Sequence, residues 1–291
     1  MEFKRISEDE LKERLKVFKK EISAKGNIPE NLNEIILLRY LKFFNGNVEK
    51  SLKRLIGSME VRKSYPHIFF NRDTNDPLLG QLSDQVEMVL LPKLTPENNR
   101  IIVTRLIDFS TDNLPEMDET LRISSMIFDI AAITPENNGS LADGEVLIYD
   151  LNGLTAKHFT KLSFSSLRGF FRYMSEAHLM RIREIHLINC SSLVDKLVML
   201  IRPFVGKAMQ IMHFHQPDST TLFDFVPMDV IPVELGGTDE SIIKSKIYWI
   251  KKTEEHREFI INDEQWKFTD ARSDEDEEEN IEDNFSYMGF C

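Results

Sequence analysis

Four short apolar runs, Ile101–Ile107, Val146–Tyr149, Ile185–Ile188 and Met209–Phe214, constrain this chain more than any other feature. They are dominated by Ile, Val, Leu and Met and are too short for buried helices, so they read as strands. The stretches between them, near 116–133, 155–180 and 192–205, carry apolar residues at helical spacing. A tight hairpin cannot span such distances and a crossover helix can. The order therefore implies a mostly parallel sheet covered by helices, an α/β fold.

Ahead of Pro77 the pattern is helical throughout. Ser7-Glu-Asp-Glu10 is a capping box, followed by Leu11, Leu15 and Phe18 at helical spacing over about 7–22. Leu32, Ile35, Ile36, Arg39, Tyr40, Phe43 and Phe44 mark a second helix, stopped by Asn45-Gly46. Asn47 can cap a third that runs through Leu52, Leu55, Ile56 and Met59 toward Tyr65-Pro66. Past Gly236-Gly237 a closing helix is expected over roughly 239–262. The divisions are a small helical bundle (1–75), an α/β domain with its closing helix (76–265), and an acidic tail (266–291) whose composition reads as disordered.

The net charge of −12 is unevenly placed. Asp270–Asp283 holds nine acidic residues against Arg272, and the rest of the chain is nearly balanced at −4. No dense basic face remains to neutralise phosphates, which argues against a nucleic-acid binder. Cys190 and Cys291 form no disulfide framework, so a reducing compartment is expected. There is neither an apolar leader nor a run long enough to span a bilayer, so the expected location is cytoplasmic.

Enzyme signatures fail one by one. A nucleophile elbow, a dinucleotide fingerprint, H-E-x-x-H and paired C-x-x-C are all missing, and Gly139–Gly144 leads into Glu145-Val146 where a phosphate loop needs Lys-Ser/Thr. His213 and His215 share a strand face and could co-ligate a metal, but no further ligand stands at a recognisable spacing, so no metal is assigned. Asp108 and Asp150 sit at strand ends without a catalytic partner in view. The chain is not read as an enzyme.

Several segments, in order, resemble the CRAL-TRIO family. Leu37-Leu-Arg-Tyr-Leu-Lys-Phe-Phe44 resembles its N-terminal L-R-F-L-R-A segment, and Val146-Leu-Ile-Tyr-Asp-Leu-Asn-Gly153 its strand ending in Asp-x-x-Gly. Ile185-His-Leu-Ile-Asn189 and Ile201-Arg-Pro-Phe204 resemble its I-H-x-I-N and x-K-P-F pair. Ile231-Pro-Val-Glu-Leu-Gly-Gly237 resembles its closing L-P-x-E-Y-G-G. The likeness covers roughly residues 10–265 and is nearest the tocopherol- and retinaldehyde-carrier branch, in its insect-type form.

The resemblance implies a helical bundle followed by a lipid-binding α/β domain with a mobile helical lid. It places Tyr149, Leu154, Phe170, Tyr173, Ile182 and Ile185 against a hydrophobic ligand, with Met174 added from its helical neighbourhood. It makes a lid of the helix carrying Val194, Leu197, Val198, Ile201 and Phe204, although an ordinary core helix would show the same stripe. It matches Arg181, Arg183, Arg202 and Lys207 to residues that contact phosphoinositide headgroups. Here the sequence departs from the family, because Ala-Met-Gln-Ile-Met follows Lys207 where relatives carry further basic residues, and Glu184 adds a negative charge. Leu235 and Cys190-Ser191 are lesser departures.

The resemblance thus points to a carrier for one retinoid, tocopherol or similar lipid, with no cofactor beyond that bound molecule. Its partners are the ligand and, transiently, an anionic membrane surface with phosphoinositides. The rival is a lipid-sensing or lipid-independent signalling module of the same fold, meeting a protein partner through the acidic tail and its aromatic end, Phe285–Phe290. A solubilising role for that tail is the plain alternative.

Overall fold

The computed structural model describes residues 6–108, 110, 114–136 and 139–269. Helix α1 (Glu8–Lys25) starts where Ser7 Oγ accepts the Glu10 N–H at 3.2 Å, and it ends at left-handed Gly26. α2 (Glu34–Phe43) is capped by Asn33, and α3 (Val48–Ser64) by Asn47, whose Oδ1 accepts the Lys50 N–H at 3.0 Å. Between them the chain reverses through Asn45 (φ 48°) and Gly46 (φ 80°). The left-handed dihedral favours glycine at 46, and a Cβ there would also displace the end of the Ile6 side chain. Leu11, Leu15, Phe18, Ile36, Leu37, Leu55 and Met59 bury one apolar stripe per helix into a shared core.

Two short helices, α4 (Pro66–Phe69) and α5 (Pro77–Ser83), lead to the sheet. Its strands are β1 (Val86–Leu90), β2 (Asn99–Leu106), β3 (Gly144–Asp150), β4 (Ile182–Ile188) and β5 (Met212–Phe214). They lie in the order β1-β2-β3-β4-β5, with β1 antiparallel to β2 and every other pair parallel. The parallel links are α6 (Met117–Ile133), α7 (Phe164–Arg172) and α8 (Val194–Val205). α9 (Ile242–Glu255) packs on β1, where Trp249 Nε1 donates to the Leu90 carbonyl at 2.9 Å, and α10 (Arg257–Ile261) follows.

The structure corrects four details of the sequence reading. β1 adds an antiparallel edge strand whose Val86-Glu-Met-Val-Leu90 lacks a clear apolar run. The helix expected over 155–180 is broken into a 3-10 turn (His158–Lys161), α7, and a π-turn (Tyr173–Ala177). Short-range side-chain bonds cause the break: His158 Nδ1 accepts the Thr155 N–H at 3.0 Å, and Ser163 Oγ accepts the Ser166 N–H at 3.3 Å to restart the helix. The run 209–214 begins as a 3-10 turn (Gly206–Ile211), and only three residues pair as β5. The closing helix is interrupted at His256, whose backbone (φ −105°, ψ 21°) leaves the helical well.

After α10 the chain folds back onto the helical bundle. Trp266 is buried in the core of α1–α3, and the Thr269 N–H bonds the Asn27 carbonyl at 3.0 Å. The acidic residues from Asp270 onward, with Cys291, lie outside the described residues. Among the described residues, no helix is long and apolar enough to cross a membrane.

Candidate functional site

Strand register sorts the sheet's side chains. Tyr149 pairs with Leu187, and Ile185 pairs with Leu147 and Met212, so these residues face one side; Val146, Ile148 and His186 alternate onto the other. On the first face Met88, Tyr149, Ile185 and Met212 retain accessible surface, and so do Ile123 and Ile127 of α6 and Phe170 of α7. On the second face Val89, Ile101, Val103, Val146 and Ile148 are fully covered.

Tyr149 carries the most information. Burial, with a smaller push from the Glu145 charge, raises its hydroxyl to about 12, yet the side chain keeps accessible surface. Both properties hold together for a ring crowded by protein atoms but not fully covered by them. Tyr149, Phe170 and Ile185 are partly accessible and pack against the main core. Tyr173, Met174 and Ile182 are buried in the main core, and the Tyr173 ring lies 5.0 Å from that of Phe69. Leu154 is half-buried in the turn after β3. Met88, Ile123, Ile127 and Met212 are not among the residues that sequence alone singles out. Only the strand register, which no spacing rule supplies, brings Met88 and Met212 to that face.

The helix proposed as a lid is thinly attached. Ile201 and Val205 of α8 form a small apolar cluster with Ala208, bordered by Phe171, Leu197, Met209 and Met212 and separate from the main core. Phe204 stacks on Phe171 with parallel rings 6.1 Å apart. Val194, Leu197, Val198 and Phe204 remain partly accessible, and Met199 is 68% exposed. A helix buried in a core would not leave so much of its apolar face uncovered.

The motif residues turn out to be joints. Asp150 Oδ1 accepts from Asn189 Nδ2 at 2.7 Å and from the Asn152 N–H at 2.9 Å, tying the end of β3 to the end of β4 where α8 departs. Arg39 is buried and donates to the Ala132 and Thr134 carbonyls at 2.8 Å each, closing the C-terminus of α6. Burial, then repulsion from Arg100, pulls its guanidinium down to about 9, with Glu136 and Glu145 opposing. A Cβ on Gly237 would overlap the Ile231 carbonyl oxygen, which explains the second glycine of the closing motif.

The four basic residues have different surroundings. Arg181 donates to the Phe43 carbonyl and lies 5.5 Å over the Phe43 ring, and burial lowers its pKa. Arg183 sits beside Gly144 at the start of β4, and Arg202 is exposed on α8. The Lys207 side chain lies outside the described residues. The 206–211 turn contacts β4, which returns the end of α8 toward the strand start that carries Arg183.

On the reverse face, His186, His213 and His215 surround the Phe225 ring. His186 Nδ1 lies 3.0 Å from His215 Nε2, so these nitrogens bond to each other. Among the described residues, no group of three or more potential ligands is arranged to hold a metal ion.

Residues 84–237 match the CRAL/TRIO domain, and residues 7–79 match a Pinta-like UBA domain. The chain is similar to alpha-tocopherol transfer protein-like proteins of Homo sapiens and Pongo abelii, 22% identical over 216 residues, which is 73% of this chain and 60% of theirs. The Mus musculus counterpart is likewise 22% identical, over 72% of this chain and 59% of its own. The match therefore spans about 60% of those relatives' length. The fold is similar to the crystal structure of Sfh5, with a TM-score of 0.52 at 14% identity over 84% of this chain and 92% of that one.

Proposed function

The chain belongs to the CRAL/TRIO domain family, and on that premise we propose that it carries one hydrophobic small molecule beneath α7 and α8 and releases it when α8 swings away. The observation that supports this most directly is Tyr149: it is deeply desolvated yet accessible, on a sheet face shared with partly accessible Ile185 and Met212. The resemblance to proteins described as alpha-tocopherol transfer protein-like favours a retinoid, tocopherol or similar lipid.

Energetics support such a role. Covering about 400 Å² of apolar ligand surface at about 25 cal/mol per Å² is worth on the order of 10 kcal/mol before ordering costs. A molecule held so well does not leave into water at a useful rate. Release then requires an acceptor phase, and a bilayer can receive both the ligand and the uncovered apolar side of α8. Arg183 and Arg202 would steer that approach to anionic headgroups, phosphoinositides among them, for a cytoplasmic protein that meets membranes transiently. The role calls for no bond-making chemistry: Asp150 is spent on Asn189 and the Asn152 amide.

The test is native mass spectrometry of the purified protein with organic extraction, followed by competition among retinoids, tocopherols, sterols and phospholipids. A stoichiometric lipid is expected, and an empty protein that takes up none of the panel sinks the carrier reading. Joining Phe171→Cys and Phe204→Cys by a bifunctional maleimide, with Cys291→Ser as background, should stop transfer between vesicles. Unchanged transfer would remove the lid from the mechanism. The UBA-type match of residues 7–79 supports a second reading, a protein-interaction module that also uses the acidic tail. Capture of a partner that is lost on truncation after Thr269 would favour it.

A further inference from the structure

α9 turns an apolar stripe toward solvent. Its buried side is Ile242, Ser245, Trp249 and Thr253, and Trp249 and Lys246 fasten it to the Leu90 carbonyl and to the Ser83 carbonyl of α5. At about 100° per residue, Ile243, Ile247 and Ile250 stack above one another about 120° away from that side. They are 57%, 62% and 46% exposed. Glu234 accepts the Ile242 N–H at 3.0 Å, which brings the turn carrying exposed Val233 to the start of the same helix. Single exposed isoleucines are ordinary, but three in register on one helix mark a surface that something covers.

The charge around the stripe has one sign. From Ile242 to Thr253 the helix holds Lys244, Lys246, Lys251 and Lys252 and no acid, while Glu240, Glu254 and Glu255 flank that stretch. Lys244 meets Glu240 at 2.7 Å and Lys251 meets Glu255 at 3.7 Å, exposed pairs of the kind that exchange partners at little cost. A second copy of the chain would bring the same lysines to the contact, and three isoleucines are few against the roughly 20–30 residues a side of a stable dimer. The face fits a partner that is acidic and carries apolar side chains close by. This chain contains such a segment. Asp270–Asp283 holds nine acidic residues against Arg272, and Phe285, Tyr287, Met288 and Phe290 follow it.

We propose that residues 270–291 dock on α9 of their own chain, the aromatic end covering Ile243, Ile247 and Ile250 and the acidic run lying beside Lys244 and Lys251. The segment leaves the described fold at Thr269, whose N–H bonds the Asn27 carbonyl at 3.0 Å. From there residues 270–285 can extend about 50 Å, against a radius of gyration of about 19 Å for a domain of this size, so α9 is within reach. Tethering gives the segment an effective concentration of about millimolar, so a small interface is enough to hold it. An anionic bilayer would also attract the lysines, but it is not tethered and would have to displace the acidic run first. α9 packs on β1, at the opposite edge of the sheet from β5, so this contact does not depend on the carrier reading.

The experiment uses Cys291 as the reporter. With Cys190→Ser as background, benzophenone maleimide on Cys291 of the full chain is photoactivated in a mixture of isotopically heavy and light protein, and the cross-linked residues are mapped by mass spectrometry. Cross-links concentrated in residues 242–254 and confined to single chains are expected. Ile247→Ser, at the most exposed of the three isoleucines, leaves the buried side of α9 intact, so its thermal melt should match the parent. Its cross-linking to α9 should fall about fivefold, because part of the apolar cover is gone. Cross-links scattered over the surface, cross-links that join heavy to light chains, or a yield at α9 that Ile247→Ser leaves unchanged would each overturn the docking. If Cys291 never reaches α9 but Ile247→Ser weakens co-sedimentation with phosphatidylserine vesicles, the face belongs to a bilayer and the proposal fails.

Discussion

Where α1–α3 meet the sheet domain, charge is sunk into the contact; where α8 meets it, the contact is thin and apolar. At the first joint Arg62 makes a two-pronged pair with Asp129 of α6 at 2.9 and 2.5 Å, and Arg72 reaches the same carboxylate at 2.8 Å. Beside them Arg54 donates to the Ser175 and His178 carbonyls at 2.9 and 2.8 Å, and His178 meets Glu145 at 2.6 Å. At the second, Ile201, Val205 and Ala208 rest on Phe171 and Met212, and much of α8 stays uncovered. Buried ion pairs penalise any separation, because each freed charge is stranded without water. A small apolar contact gives way at modest cost. The difference makes the N-terminal joint the costlier of the two to open.

The sharpest attack on that contrast is Arg62→Ala. Truncating one partner of a buried pair typically costs 3–5 kcal/mol, so about 4 kcal/mol is expected in urea denaturation. Burial opposes ionisation of Asp129, but Arg62 and Arg72 overcome it and hold the carboxyl below the usual range. A depressed carboxylate gives stability above its unfolded pKa and loses it as the pH falls, so wild type and variant should converge below about pH 4. A constant gap down to pH 3 would show that the charge of Asp129 is not what Arg62 serves.

Ile148→Ala, in the fully buried middle of β3, should cost about 3 kcal/mol, and Ile201→Ala in α8 about 1.5 kcal/mol, because a thinly covered site leaves a smaller cavity. Equal costs would mean that α8 is as firmly packed as the sheet. The smallest effect belongs to the surface. Charge reversal at Arg183 or Arg202 should each weaken co-sedimentation with phosphatidylserine vesicles by about 1 kcal/mol, roughly fivefold. No change at either position would take the basic residues out of membrane approach. Arg181 is a poorer probe, since its guanidinium is committed to Phe43 and reversal would disturb packing as well.

Much of this architecture is legible without coordinates. Ser7 and Asn47 cap the helices the spacing predicts, and three of the four apolar runs, with the last three residues of the fourth, are strands in a sheet that is parallel apart from its first pair. β1 escapes a reading by pattern because Glu87 interrupts its apolar residues and is buried only through its bond from Arg105 at 2.5 Å. The 155–180 segment misleads because a π-turn keeps nearly helical side-chain spacing while changing the backbone bonds.

The sequence by itself determined the class of fold, the helical bundle ahead of it and the positions of the joints, because periodicity, capping and glycine stereochemistry are local properties. Asp150, Asn189, Arg39 and Gly237 stand out in the linear pattern, yet their work is visible only in space, as two strand ends tied together, one helix end closed and one backbone crossing. Which apolar residues border accessible space and which fill the core was decided by tertiary structure alone. Tyr149 and Tyr173 each have one charged and one apolar neighbour in the chain; strand register puts one on the sheet face of Leu187, where it stays partly accessible, and the π-turn packs the other between Phe69 and Phe128. Burial depends on what the rest of the chain brings alongside, and no window of sequence contains that.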